Sequence, residues 1–403
     1  MQDVLTGIRV VEVASWTFVP SSGAILAEWG ADVIKIEDPE RGDPQRGLIA
    51  TALIPPGGAN FMYEIPNRGK RSVGLDIASE AGRELLYRLI ETADVFVTNY
   101  LPDVRQRLGI EVEQIRARNP RAIYVRGSGN GPRGPEATRG GFDSATYWAR
   151  AGIASALTEP EHQWPPSVRP GFGDLLGGLA LAGGVAAALL KRERTGMASE
   201  VDVSLLALGM WNLGPDIASA KLFERLPRPK FDRDAVANPL VGFYPTADGR
   251  FVSLMLFQDQ RYWPDLCEHL GRPDLIEDPR FATSAARYDN RRELIALLRE
   301  LFGALRLEQW RERLATLKGV WAPVQTPLEL HDDQQALANG YLQTLEGPGG
   351  SRLAVPTNPV QFDKASPAVR GAPGHGEHTD EVLLELGLGY DEILEHKATG
   401  AVL

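Results

Sequence analysis

Cysteine is almost missing from this 403-residue chain: Cys267 stands alone, so neither an internal disulfide nor a thiolate metal cluster is available. Histidine is scarce as well. The six lie at 162, 269, 331, 375, 378 and 396; the one close pair, His375 and His378, sits in a Gly/Pro-rich stretch without cysteines nearby. No metal site is expected there. Residues Met1–Val13 lack a basic segment followed by an apolar core, so no signal peptide is read and a cytoplasmic location is the expectation. The most apolar run, 171–190, contains Asp174 and six glycines, which suits a buried helix better than a membrane span. Positive charge is in deficit, with 43 Lys and Arg against 53 Asp and Glu, a net charge of −10. That balance argues against nucleic acid or an anionic membrane as partner. An acidic chain that binds an anionic ligand must gather its cations locally.

What is present is a βα rhythm. Ile8–Val13, Val33–Glu37, Val95–Thr98 and Ala122–Arg126 read as short β-branched strands. Between them, Pro20–Trp29, Glu80–Thr92 and Val112–Arg118 carry helical apolar spacing. The alternation predicts an α/β fold, a mostly parallel sheet covered by helices. A glycine-rich connection, 127–141, precedes a helical pattern over 143–157, a Pro-rich loop over 164–170 and the apolar helix that begins near Asp174. The middle changes character: Pro227–Asp234 reads as a linker, Val241–Leu254 as a hairpin turning at Asp248-Gly249, and helices follow at 259–271, 291–304 and 307–317. The resulting plan is a large domain from 1–200, a linker 201–224, a smaller α+β domain 225–325, and a return, 326–403, that completes the large domain.

The parallel sheet raises the possibility of a dinucleotide site, and the turn after the first strand tests it. It reads Ala14-Ser15-Trp16-Thr17-Phe18-Val19, with two aromatics where a G-x-G-x-x-G turn needs bare backbone. No G-x-S-x-G elbow or P-loop is present either. The sharpest local signal is Pro170-Gly171-Phe172-Gly173-Asp174-Leu175-Leu176-Gly177-Gly178, one carboxylate at the mouth of an apolar helix. The plain reading of Asp174 is a helix cap. The density of glycines and the apolar surround favour a nucleophile instead, because a carboxylate shielded from water attacks more readily. Lys70 and Arg71 lie in Asn67–Asp76, which alone is an ordinary solvated turn; with Arg41, Arg46, Arg105 and Arg107 they are candidates for a local basic patch.

These stretches together resemble the family III CoA-transferases. The resemblance is carried by LTGIRVVEVASWTFVP, WGADVIKIEDPERGDPQRG, NRGKRSVGLD, ADVFVTNYLPDVRQRLG, GFGDLLGGLALAGGVAAALLKRERTG and GEHTDEVLLELGL, spread in order from residue 5 to 388. It implies a Rossmann-like large domain built from both chain ends, a small domain from the middle, and an interlocked homodimer. Asp174 falls on the catalytic aspartate. Ser15, Trp16, Thr17 and Phe18 fall on the loop lining the thioester. Asn99, Tyr100, Arg107 and Leu108 fall where the CoA moiety is held, and Lys70, Arg71 and Leu75 near its adenosine and phosphates. Coenzyme A is then a substrate, with a carboxylic acid as the other, and no cofactor is bound permanently.

The resemblance also has departures. Related racemases carry a histidine before the aspartate of a G-H-D segment; here the segment is Gly141-Phe142-Asp143, and phenylalanine cannot move a proton. Formyl-CoA transferases carry Tyr-Glu at Phe142-Asp143 and histidine at Ser15, and a tetraglycine loop with no counterpart near Leu256–Gln260. The expected reaction is CoA transfer through an aspartyl anhydride and an aspartyl-CoA thioester on Asp174. Asp143 supports the site, and Gly177 and Gly178 permit close backbone approach. Trp16, Phe18, Phe142, Tyr147 and Trp148 either wall a pocket for a larger apolar acid or belong to the core. Racemisation on the same fold and non-catalytic acyl-CoA binding are the alternatives.

Overall fold

The computed structural model of the protein describes residues 3–48, 60–159, 164–224, 232–346 and 352–403. The chain divides into two compact units, Met1–Arg225 with Gln334–Leu403, and Leu226–Asp333.

The larger unit is built on six parallel strands in the order β3-β2-β1-β4-β5-β6. In chain order its elements are β1 (Arg9–Val13), α1 (Phe18–Glu28), β2 (Asp32–Glu37), α2 (Phe61–Asn67), β3 (Arg71–Gly74), α3 (Glu80–Glu91), β4 (Val95–Thr98), α4 (Pro102–Leu108), α5 (Val112–Arg118) and β5 (Ile123–Ser128). A π-helical segment, Asp143–Arg150, follows, then α6 (Ile153–Leu157), α7 (Phe172–Thr195), β6 (Glu200–Ser204), α8 (Leu205–Asn212) and α9 (Gly214–Phe223). The central strands are buried on both faces, so their β-branched runs split by alternation. Val10, Val33 and Val95 face one apolar cluster with α1 and α7; Val11, Ile34 and Phe96 face another with α3 and α5. The chain's end returns to the β3 edge, where Val402 bridges Leu75 and Glu385 pairs with Arg71.

Helix α7 is long and apolar enough to cross a membrane, and 44% of its most apolar window is buried. It is a partly buried core helix. Gly177, Gly178, Leu181, Ala182, Val185 and Ala188 form its buried face, and Arg192 anchors its far end on Asp94 at 2.6 Å. A side chain at Gly177 would collide with the Phe18 ring, and one at Gly178 with Ser21 and the Ser22 amide. The two glycines are what let α1 and α7 lie this close. The single helix expected over 143–157 is instead broken: the π-helical segment ends at Arg150, and Gly152 turns the chain with φ +94° before α6.

The smaller unit contains the expected hairpin, β7 (Val241–Pro245) and β8 (Phe251–Met255), with Gly249 at φ +71° in the turn. A third antiparallel strand, β9 (Trp321–Pro323), pairs with β8. Helices α10 (Asp259–Leu270), α11 (Ser284–Asp289), α12 (Arg291–Gly303) and α13 (Leu307–Arg313) complete it, around a core that includes Trp263, Phe302 and Trp310. This unit extends past the boundary expected at 325, because Glu329 is tied to Arg250 at 2.7 Å. The linker expected over 227–234 lies mostly outside the described residues.

Two substitutions in α7 test the glycine seam. Gly178→Val forces α1 away and lowers stability by about 1–3 kcal/mol, the usual cost of overpacking. At Gly183 a Cβ meets nothing within 4 Å, so Gly183→Ala raises stability by about 0.5–1 kcal/mol. Thermal melts of the two variants read both signs.

Candidate active site

Open parallel sheets bind ligands at the carboxyl ends of strands where the strand order reverses. Here that place lies between β1 and β4. The loop leaving β1 and the loop leaving β4 are joined by Asn99, whose amide nitrogen donates to the Ser15 carbonyl at 2.7 Å while its oxygen accepts the Ser15 N–H at 3.1 Å. Tyr100 sits half-buried beside them, its phenol pushed up by burial. Trp16 adopts the left-handed region, φ +69°, which a bulky residue holds only under constraint. The constraint is Asp43, whose Oδ1 accepts the Trp16 N–H at 3.3 Å and the Gln45 N–H at 2.9 Å. Gln45 in turn donates from Nε2 to the Thr17 hydroxyl at 2.7 Å.

Beneath this loop lies a buried charge cluster. Lys35 Nζ meets Asp43 at 2.9 Å, Glu12 at 3.2 Å and the Ala14 carbonyl at 2.8 Å. Burial works to depress Lys35, but Asp43, Glu12 and Glu37 outweigh it and raise the group. Lys70 Nζ bonds both Glu12 oxygens at 2.8 Å and the Pro20 carbonyl at 2.8 Å. Burial brings Lys70 down to about 8 against the opposing pull of Glu12. Glu37, paired with Arg46 at 2.7 Å, is pulled down to about 2 despite burial.

Several expected ligand contacts are thereby corrected. Lys70 is fully committed inside the protein and offers nothing to a phosphate. Arg71 is held by Asp32, Glu381 and Glu385, Arg46 by Glu37, and Arg105 by Glu111. The side chains of Leu75 and Leu108 belong to the core. Of the cations named from sequence, Arg41 and Arg107 are exposed and outside any ion pair among the described residues. They follow β2 and β4, on the crevice side of the sheet.

Asp174 is the third residue of α7, after Gly171 at the N-cap with φ +72°. It does not cap: no side chain of its own helix caps α7. That work is done by Asp143, from the π-helical segment, whose two carboxylate oxygens each accept the Gly173 N–H at 3.1 Å. A Cβ at Gly173 would strike Asp143 and Tyr147, so the glycine there makes the cap possible. Burial raises Asp143, against the N–H groups of Gly173, Asp174 and Phe172. Asp174 is left half-buried with no hydrogen-bond donor or cation among the described residues, and burial, with a smaller push from Asp143, carries its carboxyl up to about 7.

Its direction follows from helical spacing, since residues three or four apart share a face. Gly171 lies against the Thr17 methyl, Gly177 against Phe18 and Gly178 against Ser21. Asp174 is three from Gly177 and four from Gly178, so it lies on the side of α7 that packs against α1. The close approach expected at Gly177 and Gly178 is therefore made by α1, not by a ligand. The aromatics divide. Phe18 and Tyr147 are core, whereas Trp16 packs edge-on against exposed Phe142 (6.0 Å, 88°) and Trp148 against exposed Phe172 (6.2 Å, 83°). Phe142 precedes the capping aspartate and Phe172 stands two before Asp174, so the pairs rim both carboxylates.

Glu12, Lys35, Asp43 and Gln45 escaped the sequence reading. A signal existed: Glu12 and Lys35 interrupt the runs VVEVA and VIKIE, where strands buried on both faces admit charge only when it is paired.

Comparison with known proteins accords with this geometry. The model of CoA-transferase family III matches residues 5–379. The chain is 33% identical to (R)-2-hydroxy-4-methylpentanoate CoA-transferase of Clostridioides difficile, over 96% of each chain. It is 31% identical to cinnamoyl-CoA:phenyllactate CoA-transferase of Clostridium sporogenes, over 98% of this chain and 96% of that one. The crystal structure of a CAIB/BAIF family protein from Brucella suis superposes with a TM-score of 0.80 at 29% identity, covering 95% of this chain and 99% of its own length. With a parallel sheet of the expected kind and a family match that runs nearly end to end, the chain belongs to the family III CoA-transferases and is an acyl-CoA:carboxylate CoA-transferase.

Proposed function

We propose that Asp174 is the nucleophile that carries the acyl group and then CoA, and that the acids exchanged have bulky apolar chains. The observation that carries the first part is the division of labour between two aspartates: Asp143 caps α7, leaving the Asp174 carboxylate without hydrogen bond or counter-ion among the described residues. A carboxylate used for structure would hold one or the other.

In the first step an Asp174 oxygen attacks the thioester carbon; the C–O bond forms, the C–S bond breaks and CoA leaves as thiolate. The thiolate then attacks Cγ of the mixed anhydride, forming aspartyl-CoA and releasing the donor acid as carboxylate. The acceptor carboxylate attacks Cγ in its turn, displacing the thiolate, which finally takes the acceptor acyl group and frees Asp174. No proton is gained or lost in the net exchange. The protein's task is to hold CoA, receive negative charge on the carbonyl oxygens and exclude water.

The second part is supported by the rim. Trp16, Phe142 and Phe172 present exposed aromatic surface, and Leu175 and Leu176 follow Asp174 with further exposed apolar side chains. The relatives named for 4-methylpentanoate and phenyllactate derivatives act on acids with branched or aromatic tails. Phe142, unable to shuttle a proton, leaves the racemase reading without a base at that position. We read the enzyme as a cytoplasmic homodimer; Met210, Trp211, Ile217 and Leu222 on α8 and α9 are exposed apolar side chains on which a second copy has surface to pack.

Intact-mass analysis after incubation with branched and aromatic acyl-CoAs, followed by hydroxylamine or borohydride trapping, gives an adduct at Asp174 that Asp174→Ala lacks. An adduct elsewhere, or none with any donor, sinks the assignment. The pH dependence follows from the raised carboxyl. Only the ionised form attacks, so the single-turnover loading rate climbs with pH and levels off above about 7. Stability runs the other way: the folded value exceeds the ordinary 3.8, the folded chain holds this proton more tightly, and stability falls as pH rises from 3.8 to about 7. Asp174→Asn therefore raises the melting temperature more at pH 8 than at pH 5, read by paired thermal scans.

A further inference from the structure

Three side chains of the π-helical segment close on the start of α7. Asp143 accepts the Gly173 N–H. The Tyr147 ring lies against the same residue: a Cβ on Gly173 would stand 2.3 Å from Tyr147 Cγ and 2.6 Å from Asp143 Oδ1. Trp148 packs edge-on against Phe172 and donates from Nε1 to the Pro166 carbonyl at 2.7 Å, in the loop that leads into α7. An α-helix would not aim all three the same way. Residues four apart share a face there, and the fifth turns aside. In a π-helix the bond spans five residues, here from the Ala151 N–H to the Thr146 carbonyl at 3.0 Å. The wider turn brings the fourth and fifth positions to either side of the first, so Tyr147 and Trp148 flank Asp143.

Tyr147 is also held from behind. Helix α8 passes on its other side, where a Cβ on Gly209 would stand 2.8 Å from the Tyr147 carbonyl and 3.3 Å from its ring. The Tyr147 hydroxyl accepts the Asn212 side-chain amide at 2.7 Å. Gly209 and Asn212, three apart, form one face of α8. The ring is therefore fixed between two glycines on two helices and is buried.

We propose that Tyr147 is the positioning residue of the nucleophile's helix: wedged between Gly173 and Gly209, it holds Asp143 onto the Gly173 N–H and so keeps Asp174 from the N–H groups at the mouth of its own helix. Without the wedge the π turn relaxes, Asp143 withdraws, and Asp174 takes over the vacated positive end, where a first-turn aspartate is ordinarily stabilised. The other charges brought by elements packed on α7 are paired: Glu28 of α1 with Arg68, Arg126 of β5 with Asp202 and Glu200 of β6, and Arg150 of the π-helical segment with Glu136. Asp143 is the charge that acts on Asp174. The proposal rests on Asp174 as nucleophile and adds a residue that this reading does not require.

The test is Tyr147→Leu, read by single-turnover loading of Asp174 as a function of pH. The midpoint falls by about one unit from the wild-type value, so the loading rate at pH 5, relative to its own plateau, rises about tenfold. The plateau itself drops, since a hydrogen-bonded carboxylate is the weaker nucleophile, while KM for the acyl-CoA changes little. Val185→Ala, a cavity further along the buried face of α7, lowers the melting temperature without moving the midpoint, which separates position from stability. An unmoved midpoint in Tyr147→Leu overturns the proposal; so does an equal fall in Val185→Ala. If Tyr147→Leu does not fold, Tyr147→Met, which also loses the flat ring but fills more of its space, is read by the same two outcomes. Wild-type adduct formation at Asp174 tells the failures apart: an absent adduct condemns the nucleophile, whereas a normal adduct with an unmoved midpoint in the Tyr147 variant condemns only the wedge.

Discussion

The site hangs on the buried pairing of Lys35 with Asp43 and Glu12. An ammonium and two carboxylates this deep persist only while each satisfies the others, since a single buried charge left alone costs several kcal/mol. Once Lys35 fixes Asp43, the other Asp43 oxygen is fixed too, and it collects the N–H groups of Trp16 and Gln45. Trp16 is thereby kept in a left-handed turn, its ring is delivered to Phe142, and Thr17 is delivered to the mouth of α7. Lys70, bonded to Glu12 and to the Pro20 carbonyl, ties α1 to the same cluster. The charges that looked like a local basic patch in sequence are an internal frame beneath the loop that leaves β1.

A second division of labour lies across the seam. A helix N-terminus attracts an anion, and an aspartate in its first turn would ordinarily be stabilised there. Asp143 reaches the Gly173 N–H first. Its presence both occupies the turn and adds negative charge beside Asp174, so among the described residues the carboxylate we propose as nucleophile receives neither hydrogen bonds nor attraction. What a protein normally does to quieten an aspartate is diverted to its neighbour. The glycine at 173 is a condition for this, because any side chain would displace Asp143.

Much of the fold was legible because strand and helix periods are local. Val95–Thr98 and Val112–Arg118 match the sequence reading residue for residue, and the other early elements it names fall within two residues of it, whereas α2, β3 and α4 were given no bounds. The broken helix over 143–157 was not legible: its apolar spacing continues through Gly152, and only tertiary packing shows where the turn widens and stops. In the site, Asp174 was legible from its apolar, glycine-rich surround. The roles of Lys70, Arg71 and Leu108 were not, because a one-dimensional run of cations carries no record of the acids that meet them. Glu12 and Asp32 lie far from residues 70 and 71 in sequence and adjacent to them in space.

The same distinction bears on how the enzyme handles charge. Every step of the exchange begins and ends with an anion, carboxylate or thiolate, so the site has little use for a proton donor and much use for fixed dipoles. The arrangement accords with that need. Aromatic and leucine side chains are exposed beside the aspartates in sequence, and the nearby lysines are spent on internal pairs. A lysine within reach of Asp174 would pair with it and lower its reactivity in the resting state. Backbone N–H groups stabilise an oxyanion without offering a full counter-charge to the waiting carboxylate. A site of this kind separates the ground state from the transition state by the location of its charge, and the fold achieves this by burying its cations one layer below.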